Sequence, residues 1–125
     1  LTPILCLGET LNQREKDETL DVITAQLNAV VEYTGKVFPS DLVVAYEPIW
    51  AIGSGKSANT DQIQIVHKHI RCKLREKGLS AKILYGGSVT PENTKELLKE
   101  SDIDGLLVGG ASLDAKSFVQ ICKLA

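Results

Sequence analysis

Leu42-Val43-Val44-Ala45-Tyr46-Glu47-Pro48-Ile49-Trp50-Ala51-Ile52-Gly53-Ser54-Gly55-Lys56 is the stretch on which the fold turns. Its first five residues are apolar without alternation, which suits a strand buried on both faces, as in a parallel sheet. The run stops at Glu47-Pro48, passes through a glycine-bearing loop and gives way to a helix-like segment. Three more runs behave in the same way: Ile4–Leu7 ends at Gly8, Ile83–Tyr85 at Gly86-Gly87, and Leu106–Val108 at Gly109-Gly110. The segments between them have helical period. Leu20, Ile23, Leu27, Val30 and Val31 form one stripe, and Ile63, Val66, Ile70 and Leu74 a second. Leu97 and Leu98 belong to a shorter helix, and Phe118, Val119 and Ile121 to Leu124 to a last one. Thr60 is read as the cap of the second helix, and Thr90-Pro91 as an N-cap followed by proline at the first helical position. Gly78 stops the second helix after Lys77.

The pattern is βαβαβαβα. Right-handed crossovers then require a parallel sheet. Pattern alone leaves open a doubly wound open sheet and part of a barrel. A closed barrel takes eight such units and roughly 250 residues, and this chain has 125.

Composition bounds the rest. A chain 43% hydrophobic and 24% charged is ordinary globular protein, not a disordered tail. A formal net charge of −2 with scattered basic residues gives no reason to expect a nucleic-acid or acidic-membrane partner. No apolar stretch approaches the roughly 18 residues of a membrane span. Cys6, Cys72 and Cys122 are too few and too widely spaced for a disulfide framework or a zinc pattern, and read as free thiols of a reducing cytosol. The chain has no methionine and opens on Leu1, directly before an apolar run. The expectation is that residue 1 is not the true start.

Three glycine loops lie at equivalent positions: Gly53-Ser54-Gly55, Gly86-Gly87-Ser88 and Gly109-Gly110. Each follows a strand at its C-terminal end, where ligands bind in both parallel architectures. Glycine lets backbone N–H groups approach an anion, and Ser88 adds a hydroxyl. Three such loops together favour a phosphate cradle, although glycines also serve simply to end strands. Glu47, flanked by Tyr46, Pro48 and Trp50, is a carboxylate partly withdrawn from water, and Pro48 restricts it to extended backbone. Such a group suits proton abstraction beside a carbonyl; a salt-bridging glutamate at a strand end is the plain alternative.

The block Ala45 to Lys56 resembles the signature of the triosephosphate isomerase family. Cys6-Leu7-Gly8-Glu9-Thr10 is similar to the end of that family's fifth strand, Tyr85-Gly86-Gly87-Ser88-Val89 to the end of its seventh, and Gly105 to Leu113 to its eighth strand with the phosphate loop. The resemblance spans the whole chain. It implies an α/β fold, half of a TIM (β/α)8 barrel with four parallel βα units, residues 1–125 being the C-terminal half of a single domain. It implies an intramolecular aldose-ketose isomerase of glycolysis and gluconeogenesis that interconverts dihydroxyacetone phosphate and glyceraldehyde 3-phosphate through an enediolate. Glu47 would be the catalytic base. Ile52, Gly53, Ser88, Gly109 and Gly110 would contact the substrate phosphate, and Tyr85 would latch a closing loop running from Pro48 to about Ala58. Closure keeps water from an intermediate that would otherwise expel phosphate. No cofactor and no metal are expected.

By the same resemblance, the family's catalytic lysine and electrophilic histidine belong to the other half, and nothing here matches them. Lys56 sits in the closing loop. His67 borders the apolar stripe and His69 faces away, both in structural or solvated roles. Cys6 supports packing near Glu47 without acting as a nucleophile, and Cys72 and Cys122 are inert. Glu9 joins local hydrogen bonding beneath the site, and Arg14 to Glu18 form a solvated helix start. The expected partners are a small phosphorylated triose, the missing N-terminal half, and a second copy in a cytoplasmic homodimer. A four-unit chain on its own should be inactive, with sheet edges that invite association. A phosphate-gripping half-barrel without turnover, or a bare structural fragment, remain the alternatives.

Overall fold

The computed structural model describes residues 1–34, 41–52 and 58–125. Four strands, β1 (Ile4–Leu7), β2 (Val43–Tyr46), β3 (Lys82–Tyr85) and β4 (Gly105–Leu106), form one parallel sheet in the order β1-β2-β3-β4. The register sets Leu7 against Tyr46 and Tyr46 against Tyr85, so the strands end level. The fold is α/β, with strand order and direction as in part of a TIM barrel. β1 and β4 are its edges.

Helices α1 (Leu11–Glu15) and α2 (Thr19–Thr34) follow β1, α3 (Thr60–Glu76) follows β2, α4 (Pro91–Leu97) follows β3, and α5 (Ala115–Leu124) follows β4. The two main stripes pack as their spacing requires. Ile23 and Leu27 of α2 and Ile63, Val66, Ile70 and Leu74 of α3 are buried against Leu7, Val44, Tyr46, Ile83 and Tyr85. Thr90 caps α4, its N–H donating to Asn93 Oδ1 at 2.8 Å, with Pro91 at the first helical position. Gly78 leaves α3 at φ +69°, the left-handed value that favours glycine.

Two details differ from expectation, and two more show how far the packing reaches. The cap of α3 is Asn59, whose side chain accepts from Asp61 N at 2.8 Å, because Thr60 is already helical and its hydroxyl donates to Glu96. Arg14 to Glu18 do not open a helix: they close α1, turn at Asp17 (φ 58°) and lead into α2. The edge strand β1 is not sealed on both faces, whereas Val44, Ala45 and Tyr46 of the inner strand β2 are all buried. β1 alternates, with Ile4 and Cys6 exposed and Leu7 buried, because the helices cover one face of the sheet. In α5, Ile121 is buried, whereas Phe118, Val119 and Leu124 are exposed. That helix packs on α4 and on the turn before it, and Ile121 is the one apolar residue it buries there.

Among the described residues, no helix is long and apolar enough to cross a membrane.

Candidate active site

The level strand ends decide what meets above the sheet. One residue beyond β1, β2 and β3 stand Gly8, Glu47 and Gly86, and the ladder reaches that far. Glu47 N–H donates to Leu7 O at 2.7 Å, and Gly86 N–H to Tyr46 O at 2.8 Å. Glu47 therefore lies between two glycines. A Cβ added to Gly86 would meet Glu47 Cγ at 2.5 Å and Oε1 at 3.1 Å, and one added to Gly8 would run into the Glu47 carbonyl. The carboxylate side chain occupies the space that a side chain at 86 would take. The glycine that follows β3 thus seats the acid, a role the phosphate-cradle reading did not foresee. The signal was available in the matched strand ends Leu7-Gly8, Tyr46-Glu47 and Tyr85-Gly86.

Glu47 opens onto a pocket of about 280 Å³. Ile52, Gly86, Gly87, Ser88, Gly109 and Gly110 line it with Glu47, so the structure gathers most of the expected site at one place. Gly53, Ser54, Gly55, Lys56 and Ser57 lie outside the described residues. Tyr85 is not in this pocket. It is fully buried and lines a neighbouring cavity with Ala58 and Asn93. Burial pushes its phenol pKa up, with the Ala58 backbone pulling the other way. An added Cβ at Gly87 would strike the Tyr85 hydroxyl, so that glycine makes room for the ring.

Cys6 has the Glu47 carboxylate as its charged neighbour. Its thiol is pushed up to about 11, by partial burial first and then by the carboxylate beside it. A thiol held protonated is a poor nucleophile. Cys72 and Cys122 are exposed on α3 and α5.

Glu9 is the hub beneath. Fully buried, it accepts from Tyr46 OH at 3.1 Å, from Trp50 Nε1 at 2.9 Å and from Arg14 at 3.3 Å. Arg14 also stacks 5.3 Å above the Trp50 ring. Arg14 thus pairs with a buried acid, unlike the solvated residue expected. The Tyr46 phenol is pushed well up, by burial and then by the Glu9 charge.

Behind Tyr46, His67 is buried with its ring edge-on at 5.9 Å, and its Nδ1 lies 3.1 Å from Asp102 O. Burial lowers its pKa to about 4. His69 does not face solvent alone, since its Nε2 lies 2.7 Å from Thr24 Oγ1 of α2. Among the described residues, no group of three His, Cys, Asp or Glu is placed to hold a metal ion.

A family model described as triosephosphate isomerase matches residues 1–125. The triosephosphate isomerase of Methylococcus capsulatus is 53% identical over 126 residues, which cover 98% of this chain and 50% of that protein. That of Nitrosomonas europaea is 52% identical over 129 residues, all of this chain and 51% of the relative. That of Hydrogenovibrio crunogenus is 50% identical over 129 residues, again all of this chain and 51% of the relative. The chain spans about half the length of these relatives. With the family model matched from end to end, and half the residues shared with several such enzymes, the chain belongs to the triosephosphate isomerase family.

Proposed function

We propose that this chain is the C-terminal half of a triosephosphate isomerase barrel, its fifth to eighth βα units, in a single domain completed by an N-terminal half. The order of the motifs supports that half: the Cys6 block, the Glu47 block, Tyr85 to Val89, and Gly105 to Leu113 follow one another as in the second half of the family's barrel. The pocket that Glu47 shares with Ser88, Gly109 and Gly110 is the observation that carries the activity. It sets a stiffly held carboxylate beside backbone N–H groups able to take a phosphate.

In this reading Glu47 takes a proton from the carbon next to the substrate carbonyl. It returns a proton to the neighbouring carbon, through an enediolate. Ile52, Gly53, Ser88, Gly109 and Gly110 hold the phosphate away from the geometry of elimination, and Tyr85 latches the loop over the site. The other half brings a lysine and a neutral histidine to the developing oxyanion; this family is itself the standard case of that acid–base pairing. No cofactor takes part. The complete enzyme works as a cytoplasmic homodimer in glycolysis and gluconeogenesis. The 125-residue chain without its other half does not turn over, because stabilisation of the enediolate is a large share of catalysis.

The test is steady-state isomerisation by the full-length protein and its Glu47→Gln variant. The variant should fold, bind phosphate, and lose about 10²–10⁴-fold in kcat. A variant as fast as the parent would remove Glu47 from the mechanism.

A further inference from the structure

Gly8 has a buried backbone just past the last paired residue of β1. Both of its polar groups are satisfied by one side chain from the outer layer. Gly8 N–H donates to Gln26 Oε1 at 2.9 Å, and Gln26 Nε2 donates to Gly8 O at 2.9 Å. A side-chain amide that both accepts and donates repeats the rung of a β-ladder, and fixes the depth and rotation of the residue it grips. Gln26 can do this because it lies on α2 between the buried residues Ile23 and Leu27, on the helix side turned to the sheet.

What rests on Gly8 is Glu47. A Cβ at Gly8 would sit 2.7 Å from the Glu47 carbonyl carbon, so the two backbones touch. The residues on either side of Gly8 hold the chain on either side of Glu47. Glu47 N–H donates to Leu7 O at 2.7 Å, and Ile49 N–H donates to Glu9 O at 3.0 Å. The position of Gly8 is thus passed directly to the residue carrying the carboxylate.

We propose that Gln26, on the outer helix layer, is a positioning residue for the catalytic base: it clamps Gly8, and Gly8 sets the backbone of Glu47. This rests on the reading of Glu47 as the base. A purely structural Gln26 would satisfy a buried peptide and nothing more, so its loss would lower stability without changing turnover by the folded enzyme. A positioning Gln26 changes kcat. The pocket residues Ser88, Gly109 and Gly110 stand on other strand ends, so KM for the triose phosphate is spared.

The experiment uses the full-length isomerase with Gln26→Leu and Gln26→Glu, each assayed well below its Tm. Gln26→Leu keeps the bulk and removes both hydrogen bonds; kcat should fall about 10- to 100-fold, since small misplacements of reacting groups have effects of that order, with KM nearly unchanged. Gln26→Glu keeps an acceptor for Gly8 N–H and loses the donor to Gly8 O. Its kcat should fall between parent and Gln26→Leu, and it carries the test if the leucine variant does not fold. In a Glu47→Gln background, Gln26→Leu should cause no further loss, because no base remains to be placed. An unchanged kcat with only a lower Tm, or an equal loss in the Glu47→Gln background, overturns the proposal while leaving Glu47 as the base. Full activity of Glu47→Gln alone would overturn the base reading, and this inference with it.

Discussion

At one wall of the pocket, an added methyl at Gly86 would press on Glu47 Cγ at 2.5 Å; at the other wall, Gly109 and Gly110 would accept one with no described residue within 4 Å. The same residue type answers to different demands. On the Glu47 side, the chain's own packing requires glycine. On the far side no neighbour among the described residues requires it, so in the proposed function its value is the access it gives a ligand to backbone N–H groups. The first wall is finished by folding; in that proposal the second is completed by substrate.

Alanine substitutions can break this contrast. Gly86→Ala should have the largest effect, since the displaced group is the carboxylate itself. The expectation for the full-length enzyme is a loss of about 10²-fold in kcat, read in the isomerase assay. Parental kcat in a folded Gly86→Ala enzyme would mean that Glu47 has another resting place. Gly8→Ala meets backbone instead of a movable side chain. Overpacking there should cost about 1–3 kcal/mol of stability, seen as a lower midpoint in urea or heat.

A titration probes the layer behind the packed wall. His67 has its folded pKa lowered to about 4 by burial, with Tyr46, Arg71, Asp102 and Asp104 as its polar neighbours. Above its unfolded pKa of about 6.5 the ring is neutral in both states and stability is intact. Below that, the unfolded chain takes up a proton that the folded chain refuses. Stability should therefore fall by about 1.4 kcal/mol per pH unit toward pH 4, where the folded form also protonates. Urea midpoints of the parent and of His67→Gln at several pH values isolate this contribution. An unaltered slope in the variant would assign the acid sensitivity to other groups. The smallest effect on the fold belongs to Gly109→Ala. Its stability should stay within about 0.5 kcal/mol of the parent, while KM for the triose phosphate rises. A large drop in Tm would show that the far wall is packed after all.

Much of the architecture is legible in the sequence. Apolar runs of strand length, helical stripes at the right period, Thr90-Pro91 and Gly78 each express a local rule, and local rules are written in neighbouring residues. Asn59 was missed because Asn59 and Thr60 are both good capping residues in adjacent positions, and only the backbone distinguishes which one lies outside the helix. Which apolar residues of α5 are buried is not legible, because a helical stripe records which residues can be covered, not whether something covers them. Glu47 was legible as a candidate from its neighbours, but its seat was not, since that seat is made by two other strands.

By itself, then, the sequence determined the elements, their order, the parallel direction that right-handed crossovers impose, and the residues able to do acid–base and phosphate chemistry. Tertiary structure alone decided that Gly8 and Gly86 flank Glu47, that Gln26 reaches Gly8 from the helix layer, and that Arg14 and Trp50 share a buried Glu9. The physical reason is register. Periodicity sets which way a side chain points along its own strand, whereas its neighbours across the sheet follow from how strands far apart in sequence align, and a shift of one residue would exchange them all.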